Sequence, residues 1–150
     1  MLCDRIAVKG VKTKMIRSFT KLSKIKTFEE RYEYLRLHGS VGETTFGYDR
    51  YLNQMLYTSK RWRKTRDHII VRDNGCDLGI VDYEIRGVIL VHHINVLTID
   101  DIENDNDVIY DPEFLICTSL NTHNAIHYGD ESLLLKIPEQ RRPNDTCPWR

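Results

Sequence analysis

Val88-Ile89-Leu90-Val91-His92-His93-Ile94 and, further on, Thr122-His123-Asn124-Ala125-Ile126-His127-Tyr128-Gly129 decide how this chain is read. The first stretch is β-branched and closes on two adjacent histidines. The second spaces two histidines four apart, which on a helix sets them on one face with Cβ atoms roughly 5–6 Å apart. Two imidazoles so placed can grip one metal ion, and one from the earlier pair completes a three-ligand set with an open position. The histidine left over is free to act as a base. A metal, an open position and a spare base are the components of a metal-assisted hydrolase.

Working outward, Cys76 to His92 has strand character, with Ile80-Val81 and Val88 to Val91 as β-branched runs and Arg86-Gly87 as a predicted hairpin turn. Thr98 to Glu113 is acidic and asparagine-rich, a loop with one short helical turn. Phe114 to Thr118 is a further strand, and Asn121 or Thr122 precedes the helix bearing His123 and His127, which Gly129 can close. Toward the N-terminus, Thr27-Phe28-Glu29-Glu30 has the form of a capping box opening a helix that runs through Leu37 and stops at Gly39. Ser40 to Gly47 is a loop, a second helical stretch begins near Tyr48, and a third spans Ser59 to Val71 before the turn Asp73-Asn74-Gly75. Residues 1–26 are lysine-rich without a period and are expected to form a mobile or partner-ordered basic arm. Residues 130–150, with Pro138, Pro143 and Pro148, are expected to form a surface tail.

The net charge of zero conceals a polarity: residues 1–72 carry 17 Lys/Arg against 7 Asp/Glu, and residues 73–150 carry 5 against 15. Such asymmetry points to an anionic partner for the first half; mutual attraction of the two halves is the bland alternative. Arg61, Arg63, Lys64 and Arg66 crowd one predicted helix beside Trp62, a cationic surface suited to phosphates, with Trp62 as an anchor to the core. Double-stranded DNA is the favoured partner. No apolar run reaches bilayer length and Met1 to Lys14 lacks an apolar signal core, so a cytoplasmic chain without membrane attachment is expected. Cys3, Cys76, Cys117 and Cys147 form no C-x-x-C pair and are expected as reduced thiols. His38 and His68 are assigned to surface or core packing.

In order, the motifs read strand, His92-His93, loop, strand, His-x-x-x-His helix. Together with Arg72-Asp73-Asn74-Gly75-Cys76 and Tyr110-Asp111-Pro112-Glu113-Phe114-Leu115, this order resembles the HNH nucleases and their ββα-metal fold, over roughly Arg72 to Gly129. Several pieces are similar to the colicin-type DNases, and size and layout resemble small phage-encoded HNH endonucleases. The resemblance implies an α+β fold with a ββα-metal core at 72–129, a basic helical extension at 1–71 and a tail at 130–150. It implies His92, His123 and His127 as metal ligands and His93 as general base, with Arg72 joining Arg61, Arg63, Lys64 and Arg66 on nucleic acid. Strand alternation fits this division, since neighbouring side chains point to opposite sides. A neutral imidazole with a pKa of ~6.5 suits the base role near neutral pH.

Two positions depart from the family pattern. Phe114 stands where the middle Asn is expected, so the side-chain brace for the base is absent; its backbone carbonyl, Asn104 or Asn106 remain as substitutes. Cys76 and Cys117 match the first members of two zinc-knuckle pairs, with Gly79 and Leu120 at the second positions, so no structural zinc is expected. One divalent ion is expected, and three imidazoles favour zinc, nickel, cobalt or manganese over magnesium. Asp101 and Asp111 are given no ligand role and are expected to cap turns or line the acidic loop. The expected function is a DNA endonuclease in the host cytoplasm if phage-encoded, with a larger phage DNA-processing complex as a further candidate partner. The rivals are a DNA-binding module of the same fold lacking catalysis, and a metal-stabilised interaction domain. A site in which His93 is a fourth ligand would be closed and structural.

Overall fold

The computed structural model describes residues 16–37, 48–80 and 83–134. The fold is α+β: six helices and two small antiparallel sheets among the described residues. In chain order these are α1 (Phe19–Leu22), α2 (Phe28–Leu35), α3 (Tyr48–Thr58), α4 (Lys60–Arg72), β1 (Cys76–Asp77), β2 (Tyr83–Glu84), β3 (Leu90–His93), α5 (Ile99–Glu103), β4 (Leu115–Thr118) and α6 (Leu120–Tyr128). Single 3-10 turns at Asp107–Ile109, Pro112–Phe114 and Glu131–Leu133 complete the described chain.

Helix α4 begins where Ser59 accepts a hydrogen bond from the Trp62 amide, satisfying one of the donors that a helix start leaves open. It ends at a reversal in which Asn74 (φ 53°) and Gly75 (φ 65°) both take left-handed backbone. That reversal delivers β1, which pairs with β2 in the register Cys76↔Glu84. Strand β3 pairs with β4, matching Leu90 to Thr118, His92 to Ile116 and His93 to Leu115.

The predicted hairpin at Arg86-Gly87 does not form. Gly87 does bend the chain (φ 120°), but β2 pairs back to β1 and β3 pairs forward to β4. All four residues of β4 are buried, so this strand is covered on both faces. Ile80 is buried in a turn rather than a strand, its amide bonded to the Asp77 carbonyl; Val81 lies outside the described residues.

Two apolar clusters flank the β3–β4 pair. Leu22, Leu35, Leu37, Ile94, Ile116 and Ile126 form one; Trp62, Ile69, Leu115 and Cys117 form the other. Burying each large side chain contributes roughly 1.5–3 kcal/mol before entropy is charged against it. The first cluster corrects the predicted arm: from Ile16 onward the arm is folded, with Leu22 1% exposed and the Phe19 ring under the Arg72 guanidinium at 3.7 Å. One turn of helix anchored by one leucine leaves no periodic trace in a lysine-rich stretch. Residues 1–15 lie outside the described residues, as do Gly39, the Ser40–Gly47 loop and residues 135–150, which hold most of the predicted tail.

Helix α2 follows Thr27 as predicted, but its hydroxyl donates to Glu30 Oε2 (2.8 Å) instead of capping an amide. It stops at Leu35, two residues early, because Leu37 leaves to give its amide to the Ile126 carbonyl on α6.

Candidate metal centre

The three histidines assigned to the metal converge. Strand β3 turns His92 inward, 3% exposed, against α6, whose His123 and His127 lie on the facing side. Ring centroids are 5.3 Å apart for His92–His123, 4.9 Å for His92–His127 and 4.3 Å for His123–His127. One ring nitrogen from each falls within a 4.8 Å envelope, so this group could hold a metal ion. Tetrahedral zinc with bonds of 2.0–2.1 Å needs ligand nitrogens about 3.4 Å apart. The envelope exceeds this by up to about 1.4 Å, a gap that inward movement of the three rings would have to close.

The His92 environment fits a cation independently of those distances. Its Nε2 is buried without a hydrogen-bond partner. An unsatisfied buried polar atom costs about 1–3 kcal/mol, a cost a bound cation would offset. Burial, reinforced by the neighbouring His127, His123 and His93, holds the His92 pKa well below its ordinary value. Burial also lowers His123, and lowers His127 to about 4. All three rings are therefore neutral near pH 7, the state in which imidazole binds a metal. Nδ1 of His123 lies 3.4 Å from Asn124 Oδ1; a proton shared there leaves Nε2 for the ion.

Helix α6 is fixed at both ends. Ser119, rather than Asn121 or Thr122, is the cap, accepting from the Thr122 amide. The buried Asp77 reaches across from β1: its Oδ2 accepts from the Ser119 amide (3.0 Å) and the Thr122 hydroxyl (2.6 Å), and its Oδ1 from the Gly79 amide (2.9 Å). The approach is tight, since a Cβ on Gly79 would sit 2.5 Å from Thr122 Cγ2. Gly129 closes the helix in left-handed backbone, as its position predicted (φ 63°). A second carboxyl group, that of Asp73, accepts from the Cys117 amide at 2.8 Å. Two aspartates thus link the 73–79 segment to β4 and α6, beside the positions Cys76, Gly79, Cys117 and Leu120. The Cys117 thiol is pushed up to about 12 by burial and by Asp73.

His93 stands apart from the group. Its ring stacks on the Trp62 indole, with centroids 5.1 Å apart and planes inclined at 22°, and its Nε2 lies 3.0 Å from the Ile109 carbonyl. Because a carbonyl only accepts, Nε2 carries the proton and Nδ1 keeps the lone pair. This corrects the predicted brace. The Phe114 carbonyl is taken by the Ile94 amide (2.9 Å), and Asn104 bonds the Asp100 carbonyl. Asn106 acts one step removed, capping the 3-10 turn that presents Ile109. Asp101 and Asp111 cap turns, as their positions predict. Burial lowers His93 to about 4, against the weaker upward pull of the Ile109 carbonyl. The ring is neutral near pH 7 but a poorer base than an exposed histidine.

The five cationic residues assigned to nucleic acid separate. The Arg63 and Lys64 side chains are exposed on α4 and make no hydrogen bond or ion pair among the described residues. Arg61 is engaged by Asp105 (3.1 Å) and Asp107 (2.5 Å) and lies over the Tyr110 ring at 3.9 Å. Tyr110 also donates its hydroxyl to Asp105. Arg66 makes longer contacts, 3.7 Å to Asp67 and 3.5 Å to the Ile89 carbonyl. Arg72 is architectural: it donates to both Asp73 carboxyl oxygens and to the carbonyls of Pro112 (2.6 Å) and Leu115 (2.7 Å). Those bonds and the Phe19 ring engage its guanidinium. No pattern in the sequence separates an Arg bonded to a buried Asp from an Arg facing solvent.

Comparison with known proteins finds no matching family model, no matching curated protein and no matching solved structure. Among the described residues, no helix is long and apolar enough to cross a membrane.

Proposed function

We propose that this chain is a metal-dependent endonuclease of the HNH type, hydrolysing phosphodiester bonds of double-stranded DNA, with β3, β4 and α6 as its ββα-metal core. The observation that carries the proposal is the division of labour among four histidines: three converge, and the fourth is held elsewhere on the same strand. Three converging ligands leave a coordination position open, as catalytic sites require. A divalent ion held by His92, His123 and His127 supplies Lewis-acid stabilisation of phosphate oxygens. The donor set favours zinc, nickel, cobalt or manganese.

The protein's own residues supply the rest. His93 accepts the proton of the attacking water at Nδ1, its ring plane set by Trp62 and its tautomer by the Ile109 carbonyl. A bound phosphodiester places negative charge beside that ring and raises its pKa toward the working range, since an opposite charge favours the protonated form. Arg63 and Lys64 offer free cations to the backbone, contacts that position DNA without reading its sequence.

A second reading, a DNA-binding module of the same fold with weak or no catalysis, is favoured by Phe114 at the family's Asn position and by the lowered basicity of His93. Supercoiled plasmid separates the two. The endonuclease reading expects nicking with Mn²⁺, Ni²⁺, Co²⁺ or Zn²⁺ that chelator and His93→Ala both abolish. Plasmid left intact under every metal, yet bound in a salt-sensitive way, supports the second.

A further inference from the structure

We propose that Trp62 is the positioning residue for His93: stacking on the indole, together with the Ile109 carbonyl, holds the imidazole as one tautomer in one plane, in place of the missing asparagine brace. The inference rests on the endonuclease reading for its catalytic consequence, but the locked ring is a property of the protein alone.

The placement is over-determined. Trp62 is 4% exposed and packed with Ile69, Leu115 and Cys117. Its backbone amide is bonded to Ser59 at the start of α4, fixing the residue on the first turn. Tyr57 from α3 meets the indole edge-on at 5.3 Å and 71°. The indole therefore has little freedom, and a ring stacked on it at 5.1 Å inherits that restriction. A stacked plane fixes the imidazole's tilt but not which nitrogen holds the proton. The Ile109 carbonyl at 3.0 Å settles that second question. An imidazole held on both counts presents Nδ1 in a single direction, which a general base needs before the substrate arrives. A 3-10 turn capped by Asn106 carries Ile109, and the adjoining Asp105 and Asp107 hold Arg61 on the same turn of α4 as Trp62. Both restraints on His93 thus come from a helix and a turn that are pinned to each other.

The test uses Trp62→Leu, which keeps apolar bulk and loses the π face, and Trp62→Phe, which keeps a ring. Nitrogen-15 NMR of the full-length metal-free protein at pH 7.5 should show His93 in wild type with a protonated Nε2 and an unprotonated Nδ1, unaveraged. Trp62→Phe should retain that pattern and Trp62→Leu should move both nitrogens toward averaged shifts. In plasmid nicking, Trp62→Leu should lower kcat about tenfold with KM unchanged, and Trp62→Phe should restore most of it. Unchanged nitrogen shifts in Trp62→Leu overturn the proposal, as does a kcat loss as large in Trp62→Phe as in Trp62→Leu. If Trp62→Leu loses the locked pattern that wild type shows, but wild type nicks nothing, the endonuclease reading fails while the positioning stands. If wild type nicks and Trp62→Leu matches it, the reverse holds. Thermal unfolding identifies a variant that fails to fold, and Trp62→Phe then carries the test through its retained nitrogen pattern; an averaged pattern in a folded Trp62→Phe also overturns it.

Discussion

Removing the Asp77 side chain should unfasten α6 from the sheet region. In Asp77→Ala, three buried donors lose their acceptor at once: the Gly79 amide, the Ser119 amide and the Thr122 hydroxyl. Each unsatisfied buried donor costs about 1–3 kcal/mol. The hydroxyl can rotate toward the Ser119 side chain, which it already meets at 3.2 Å, so its share is small. The two amides have no such freedom, and a loss of about 3–5 kcal/mol results. For a chain of this size that corresponds to a fall in Tm of roughly 10 °C, at about 2–4 °C per kcal/mol. Asp77→Asn keeps one acceptor and turns an N–H₂ toward a donor, so it should fall between Ala and wild type. Because Thr122 precedes His123, the same variants should also weaken metal binding more than stability alone explains. Urea and thermal unfolding by circular dichroism measure the first effect and calorimetric metal titration the second. An Asp77→Ala protein within about 1 kcal/mol of wild type would refute the claim that this carboxyl group fastens the ligand helix, with the exposed Asp67→Ala as a control expected within ±0.5 kcal/mol.

Two further outcomes follow from groups already placed. Arg63→Ala and Lys64→Ala should each reduce the slope of log affinity for DNA against log salt by about 0.9, the release of one counterion. Arg72→Ala should leave that slope alone and instead cost about 3 kcal/mol by stranding the buried Asp73; a slope change from Arg72→Ala, or none from the other two, contradicts the assignment. With chelator present, stability should decline as pH drops below the unfolded-state value near 6.5. His92, His93 and His127 have depressed folded-state values, about 4 for the latter two, so the unfolded chain binds more protons in between. Stability is complete above 6.5 and is lost as pH falls toward 4, at up to about 1.4 kcal/mol per pH unit for each group. Urea midpoints that stay constant from pH 7.5 to 5 would contradict these burials.

The sequence carries the histidine geometry because periodicity alone encodes it. A 3.6-residue period puts His123 and His127 on one face, and a period of two separates His92 from His93. Helices α3 and α4, the Asn74-Gly75 reversal and the Gly129 cap announce themselves through residue types with strong local preferences. The misses that shape the core were decided by distant partners. Leu22 joins the core through Ile94, Ile116 and Ile126, and β2 turns back to β1, with no local signal for either. Arg72 and Arg63 look alike in a basic run until Asp73 and the Leu115 carbonyl claim one of them. The Ile109 carbonyl is a backbone group, which no side-chain motif can advertise. Its only sequence trace is Asn106, a capping residue three positions earlier.

Metal titration of the full chain and its single-histidine variants bears most directly on the central claim. Calorimetry with Zn²⁺ or Ni²⁺ should give one tight site per chain in wild type and in His93→Ala. His92→Ala, His123→Ala and His127→Ala should each lose at least a hundredfold in affinity. Equal loss in His93→Ala would make the fourth histidine a ligand and the site closed; full affinity retained without His92 would mean that the three rings do not share an ion.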